Sequence, residues 1–227
     1  MSRIIRSYVL ISTVTVAAAC ASSFGARHLT AGALLEEGPI TAVASLAPVR
    51  PISAAGLELT KTSEGWRARL YLDAAKFCTI GYGHLVKKAP CDGSEPANFR
   101  RGLTLPEGEV LLVTDISTAQ RAVADAVTVS LSDSQYSALV DFTFNVGSKN
   151  FATSTLLEVI NRNEWNRIPS ELRRWVFAGG EPWPGLKTRR EREIALFFEG
   201  MAIPAGDAAA GSALSPIDIR VGERRGK

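Results

Sequence analysis

The sequence predicts an α+β fold: one domain with a small antiparallel β-sheet at its front and a mainly helical lobe behind it. Three observations point there. Short β-prone runs, Leu70 to Leu72 and Phe77 to Tyr82, are separated by a turn at Asp73 to Lys76. From Leu105 onward, apolar residues recur at helical spacing in segments that carry their own start and stop signals. The patterned stretch, residues 55–202, is flanked on both sides by Ala-, Gly- and Pro-rich sequence without a period, and it has the usual size of one domain.

The flanks come first along the chain. Arg3 and Arg6 precede an uncharged stretch from Ser7 to Gly25 that ends in small residues, with an Ala-x-Ala site at Ala19-Cys20-Ala21. A basic start, a short apolar centre and that site predict an export signal in residues 1–25. Ser and Thr dilute the apolar centre, which favours cleavage over a retained signal-anchor, with lipidation of Cys20 as a third alternative. Residues 7–25 would then touch the membrane only in transit. Residues 26–54 read as a flexible linker and residues 203–227 as a disordered tail ending in basic residues.

Within residues 55–202, "GLELTKTSEG" predicts a short helix that ends at Glu64, with Gly65 as its stop. The β-prone hairpin follows. "LPEGEVLLVTDISTAQRAVADAV" predicts a long helix with Thr104 as cap and Pro106 in the first turn. "SDSQYSALVDFTFNVG" starts with a cap-like Ser132, stops at Gly147 and sets Leu139, Phe142 and Val146 on one face. "TSTLLEVINRN", "EWNRIPSELRRWVFA" and "LKTRREREIALFFEG" continue the helical pattern.

Composition removes several function classes. A hydrophobic fraction of 46% and a charged fraction of 22% argue against wholesale disorder and against a polytopic membrane protein. The net charge of +3 is too small to call for a nucleic-acid partner. The sequence holds no H-E-x-x-H, no C-x-x-C and no G-x-x-x-x-G-K-[ST], and its two histidines are His28 and His84, so no metal and no cofactor is expected. The three cysteines are Cys20, Cys78 and Cys91, and export with cleavage leaves an even pair in an oxidising compartment. A Cys78–Cys91 bridge would contribute about 3 kcal/mol through chain entropy; two unpaired buried thiols are the alternative.

Carboxylate chemistry is what the sequence supplies best. Glu64 stands at the C-terminal end of a helix, where the macrodipole disfavours a negative charge, and Leu57, Trp66, Leu70 and Ile80 are near enough to cover it; both suit a general acid. Asp73 lies in a polar turn beside Lys76 and should stay ionised. Thr79 at the start of the next strand offers a hydroxyl to hold a water against Asp73. Each has an ordinary alternative: a solvated helix end, a turn former and a β-branched strand residue.

Order and spacing change that balance. Glu64, eight residues, Asp73, five residues, Thr79 and then "IGYGH" resembles the Glu-Asp-Thr catalytic signature of the phage-type lysozymes, glycoside hydrolase family 24. "AGLELTKTSEG" before it, "QYSALVDFTFNVG" and "GLKTRREREIALFFEG" after it are similar to further elements of that family, in the same order. The resemblance implies a lysozyme-like fold and an exported, monomeric muramidase, in the periplasm or outside the cell. Its substrate would be the β-1,4 bond between N-acetylmuramic acid and N-acetylglucosamine in peptidoglycan, cleaved with inversion. Glu64 would protonate the leaving oxygen while Asp73 and Thr79 place and activate water, with the carboxyls about 6.5–9.5 Å apart. Gly81 would bring backbone to the sugar or make a turn, Tyr82 would line the cleft or pack, and Arg189 and Arg190 would meet substrate carboxylates or pair with Glu191 or Glu193. His84 fits a structural role. A lysozyme-fold protein that binds peptidoglycan as a scaffold without cleaving it is the alternative function.

Overall fold

In the computed structural model, which describes residues 49–73, 75–205 and 214–220, the first element is α1 (Ala54–Glu64). The Ser53 hydroxyl caps it by accepting from the Gly56 amide at 3.1 Å, and Gly65, at φ 72°, ends it. The export signal, Cys20, the proposed membrane contact and linker residues 26–48 lie outside the described residues.

Three strands follow, β1 (Arg67–Leu72), β2 (Cys78–Gly81) and β3 (His84–Lys87), in one antiparallel sheet of order β1-β2-β3. Tyr71 pairs with Thr79, and Thr79 in turn with Leu85. Every residue of the central strand is buried. Gly83, at φ 86°, closes the turn between β2 and β3 in a conformation that disfavours a side chain. The bridge between Cys78 and Cys91 is formed and fastens the segment after β3 to the central strand. Glu95 organises that segment: its buried carboxylate accepts from the Asp92 and Gly93 amides at 2.9 Å and pairs with Lys87 at 2.8 Å.

The helical lobe comprises α2 (Ala97–Arg100), α3 (Leu105–Ala126), α4 (Asp133–Val146), α5 (Ser148–Ala152), α6 (Thr155–Asn161), a 3-10 turn (Trp165–Arg167), α7 (Ile168–Arg173) and α8 (Pro184–Phe197). Thr104 with Glu107 and Ser132 with Gln135 form capping boxes on α3 and α4. α4 is central, with all residues from Tyr136 to Thr143 buried. Around it pack Leu112, Ile116 and Val123 of α3 and Ile194 and Phe197 of α8, and Trp175 meets Phe142 edge-on at 5.4 Å.

Three expectations need correction. The stretch "EWNRIPSELRRWVFA" is not one helical unit: the 3-10 turn leads into α7, which ends at Arg173, and the chain turns back through Gly179 and Gly180 as a hairpin, β4 (Phe177–Ala178) with β5 (Glu181–Pro182). The tail is not disordered throughout. Residues 214–220 dock on that hairpin, with the Ile217 amide bonded to the Arg174 carbonyl, Phe177 and Ile219 continuing the pairing, and Ile217 buried. The domain also begins before residue 55, because the Arg50 carbonyl accepts from Tyr136 and Gln120, each at 2.9 Å, and its guanidinium pairs with Asp133.

Candidate active site

Glu64 closes α1, so its side chain projects where the helix hands over to the sheet. About a quarter of it is exposed, and Oε1 accepts from Arg189 Nη1 at 2.7 Å. The sequence places apolar cover around Glu64; the structure sets a guanidinium against it instead. Oε2 faces the β2–β3 turn, where a Cβ on Gly83 would stand 3.7 Å away. The position of the helix end is fixed by Trp66, which tilts against Tyr82 at a centroid distance of 5.0 Å and lies so close to α3 that a Cβ on Gly108 would be 2.1 Å from its ring.

Asp73 sits at the head of the β1–β2 turn. Its Oδ1 accepts from the amides of Ala75 and Phe77, both at 2.8 Å, an Asx-type arrangement that shapes the loop and leaves Oδ2 with no protein donor among the described contacts. Thr79 is buried and donates its hydroxyl to the Phe77 carbonyl at 3.1 Å, which keeps the oxygen's lone pairs available. The Asp73 amide bonds the Phe77 carbonyl and Tyr71 pairs with Thr79, so Asp73 and Thr79 are diagonal neighbours across the hairpin.

Tyr71 joins the two halves of the site. Burial pushes its phenol above the ordinary value, and the charges of both Asp73 and Glu64 push it the same way, opposed by the Arg67 guanidinium that lies 4.7 Å over its ring. One half-buried phenol therefore feels both carboxylates.

The other expected site residues are mostly enclosed. Tyr82 is only 6% exposed and packs on Trp66. Gly81 is buried at the end of β2 with φ 67°, a conformation that disfavours a side chain. Arg189 is 5% exposed and spends its donors inside the protein: Nε and Nη2 reach the two Asp141 carboxylate oxygens at 3.0 and 2.9 Å while Nη1 holds Glu64. It is not available to a substrate carboxylate. His84 bonds Asp115 at 2.9 Å through Nδ1 and stacks near Phe99, a structural role.

Tyr71 and Asp141 escape the sequence reading, whereas Arg190 and Glu193 form the pairing it offers as the alternative to substrate contact. Arg190 and Glu193 are fully buried and pair at 2.9 Å, with Arg190 also bonded to Asn145 and lying over the Phe142 ring at 4.8 Å. Burial pushes the Glu193 carboxyl well above the usual range, against the pull of Arg190. A signal for these residues exists: Arg189, Arg190 and Glu193 share the spacing of Ile194 and Phe197, and Asp141 interrupts the apolar run "ALVDFTF". Among the described residues, metal-ligating atoms converge at Cys78, Cys91 and Glu95, but there the sulfurs are bonded to each other and Lys87 occupies the carboxylate.

A family model described as phage lysozyme matches residues 61–193, which takes in Glu64, Asp73, Thr79 and Arg189. The chain belongs to the phage lysozyme family. Among relatives, it is 34% identical over 167 residues to an endolysin of Bacillus phage PZA, covering 73% of this chain and 62% of that one. It is 37% identical over 138 residues to a SAR-endolysin of Bacteriophage PS119, covering 59% of this chain and 77% of the relative. The chain thus spans somewhat less than two thirds of the PZA endolysin. Solved structures agree in fold. A lysozyme of phage P22, determined as a point variant, shares 34% identity at a TM-score of 0.57, covering 65% of this chain and 98% of that one. The muramidase domain of SpmX from Asticaccaulis excentricus shares 31% identity at 0.56, with the same coverage. The fold is lysozyme-like, as the family resemblance implies, and its small sheet precedes the helical lobe.

Proposed function

We propose that this member of the phage lysozyme family is an exported muramidase that hydrolyses the β-1,4 bond between N-acetylmuramic acid and N-acetylglucosamine in peptidoglycan, with inversion. The observation that supports it is the ion pair of Glu64 with a buried arginine at the end of α1, together with Asp73 at the hairpin head, whose Oδ2 has no protein donor among the described contacts, diagonal to the buried Thr79.

In this reading Glu64 is the general acid. Oε1 is engaged by Arg189, so Oε2 carries the proton toward the glycosidic oxygen, in the space left open by the missing side chain of Gly83. Asp73 acts through Oδ2, since Oδ1 shapes the loop, and Thr79 offers its lone pairs to the same water. The water attacks the anomeric carbon from the face opposite the leaving group and passes its proton to Asp73, while Glu64 gives its own to the departing oxygen. The N-terminal reading supplies export to the periplasm or beyond, with residues 7–25 meeting the membrane in transit, and the catalytic unit acts as a monomer. Among the described residues no helix is long and apolar enough to cross a membrane.

The test is release of soluble fragments from purified peptidoglycan by residues 26–227, alongside Glu64→Gln. The expected result is muramic-acid-ended fragments from the parent and a loss of at least about a hundredfold in the variant. A folded parent that binds peptidoglycan and releases nothing across a range of pH would sink the enzyme and leave a scaffold.

A further inference from the structure

Among the described residues, Arg189 is the buried side chain that bonds Glu64, and what holds Arg189 is Asp141. Asp141 lies in the middle of α4, is wholly inaccessible to solvent, and faces the guanidinium with both carboxylate oxygens, Oδ2 to Nε at 3.0 Å and Oδ1 to Nη2 at 2.9 Å. This parallel fork fixes the plane of the guanidinium as well as its position. Asp141 is itself oriented, because the Thr60 hydroxyl donates to Oδ1 at 2.8 Å. Thr60 sits on α1, one turn before Glu64. The chain of contacts therefore leaves α1 at Thr60, passes through Asp141 and Arg189, and returns to α1 at Glu64.

We propose that Asp141 is a positioning residue for the proposed acid, acting through Arg189: its two oxygens fix the guanidinium that meets Glu64 Oε1, and so set where Oε2 points. Through that one guanidinium the two carboxyls share a single positive partner. The remaining groups that face this pair are Arg190 and Glu193 on α8, which pair with each other, and Tyr71 on β1. Glu193 also approaches Arg189, at 3.6 Å from Nε, farther than either Asp141 oxygen. The assignment rests on the muramidase reading for its catalytic consequence but not for its electrostatic one.

Asp141→Asn tests it, since the amide keeps shape and one acceptor while removing the charge. Two readouts are taken: kcat and KM on peptidoglycan across pH, and carbon NMR titration of the Glu64 carboxyl in the free protein. The expected result is a fall in kcat of about tenfold or more at neutral pH with KM little changed. Removing a negative charge near the acid should move the high-pH limb of activity to lower pH. A variant that titrates and turns over like the parent overturns the proposal. If Asp141→Asn does not fold, Thr60→Val decides. It keeps the charge and frees the carboxylate to turn, so kcat should fall several-fold while the titration stays in place, and an unchanged kcat is the refuting result. A parent with no activity defeats the muramidase reading alone, because the Glu64 titration in parent and variant still reports whether Asp141 governs its charge.

Discussion

Gly56→Ala sets helix propensity against packing, and the two predict opposite signs. Gly56 lies in α1 where that helix touches α4, and a Cβ there would stand 2.5 Å from Ser137 Cβ and 2.8 Å from Ile52 Cγ1. Ser137 cannot yield: it is fully buried, and its hydroxyl accepts from the Ser53 amide at 2.9 Å and donates to the Asp133 carbonyl at 2.7 Å. Carbon atoms rest at about 3.5–4.0 Å, so α1 must move by about 1 Å from α4. One turn along the same face, the 2.8 Å bond from Thr60 to Asp141 would stretch to about 4 Å and be lost. Overpacking costs about 1–3 kcal/mol and a hydrogen bond to a buried charge about 1.5–3 kcal/mol, against a helix gain of about 1 kcal/mol. The net is a loss of about 1.5–5 kcal/mol, or a fall in Tm of about 3–20 °C for a domain of this size. Calorimetry and urea melts check it, with activity falling further because the same shift carries Glu64. A Tm at or above that of the parent would refute the packing argument.

Two further expectations concern the edges of the domain. Pairing with Lys87 first, and then the amide bonds, hold the Glu95 carboxyl down to about 2. Its folded value lies below the unfolded one, so its stabilising effect is complete above about pH 4.5 and is lost as pH falls from there toward 2. Thermal melts of Glu95→Gln should start lower at neutral pH and decline less than the parent across that window; parallel declines would contradict the assignment. Ile217→Ala removes a side chain only 4% exposed, in a segment the sequence marks as tail. It should cost about 2–4 kcal/mol by urea melts, and a cost below about 0.5 kcal/mol would show that residues 214–220 do not hold the hairpin.

What could be read from the sequence was local. Thr104 with Glu107 and Ser132 with Gln135 write their capping boxes within four residues, and Gly65 and Gly147 mark helix ends by a backbone preference that needs no partner. The β1–β2 turn is legible for the same reason, since Asp73 bonds amides only two and four positions away. α2 and α5 are too short to show a period. The docking of residues 214–220 depends on partners such as Arg174 and Ser215, which are 41 positions apart, and no local rule reaches that far. The disulfide needed only a count of cysteines and a compartment. Arg189 reads locally as a helix-start arginine that meets a substrate or pairs with a neighbouring glutamate, and it does approach Glu193 at 3.6 Å; the carboxylate that grips it with two hydrogen bonds is Asp141, 48 positions away, which no local rule reaches.

The division of the site between local and distant contacts bears on how it would work. Asp73 and Thr79 owe their places to one hairpin, and a carbonyl of that hairpin, Phe77, bonds them both. Glu64 is held by α8 and α4 through Arg189 and Asp141, although it lies only nine positions before Asp73. The chain between them contains Gly65, which ends a helix, and Trp66, which is wedged between Tyr82 and the Gly108 face of α3. Trp66 is therefore a pin that sets the hairpin against the helical lobe, and the relation of the two carboxyls depends on this packed indole as well as on the hydrogen bonds that hold Glu64. A packed ring resists compression steeply and opening weakly. The hairpin that carries Asp73 can therefore lean away from the helical lobe that carries Arg189 and Asp141 more readily than toward it.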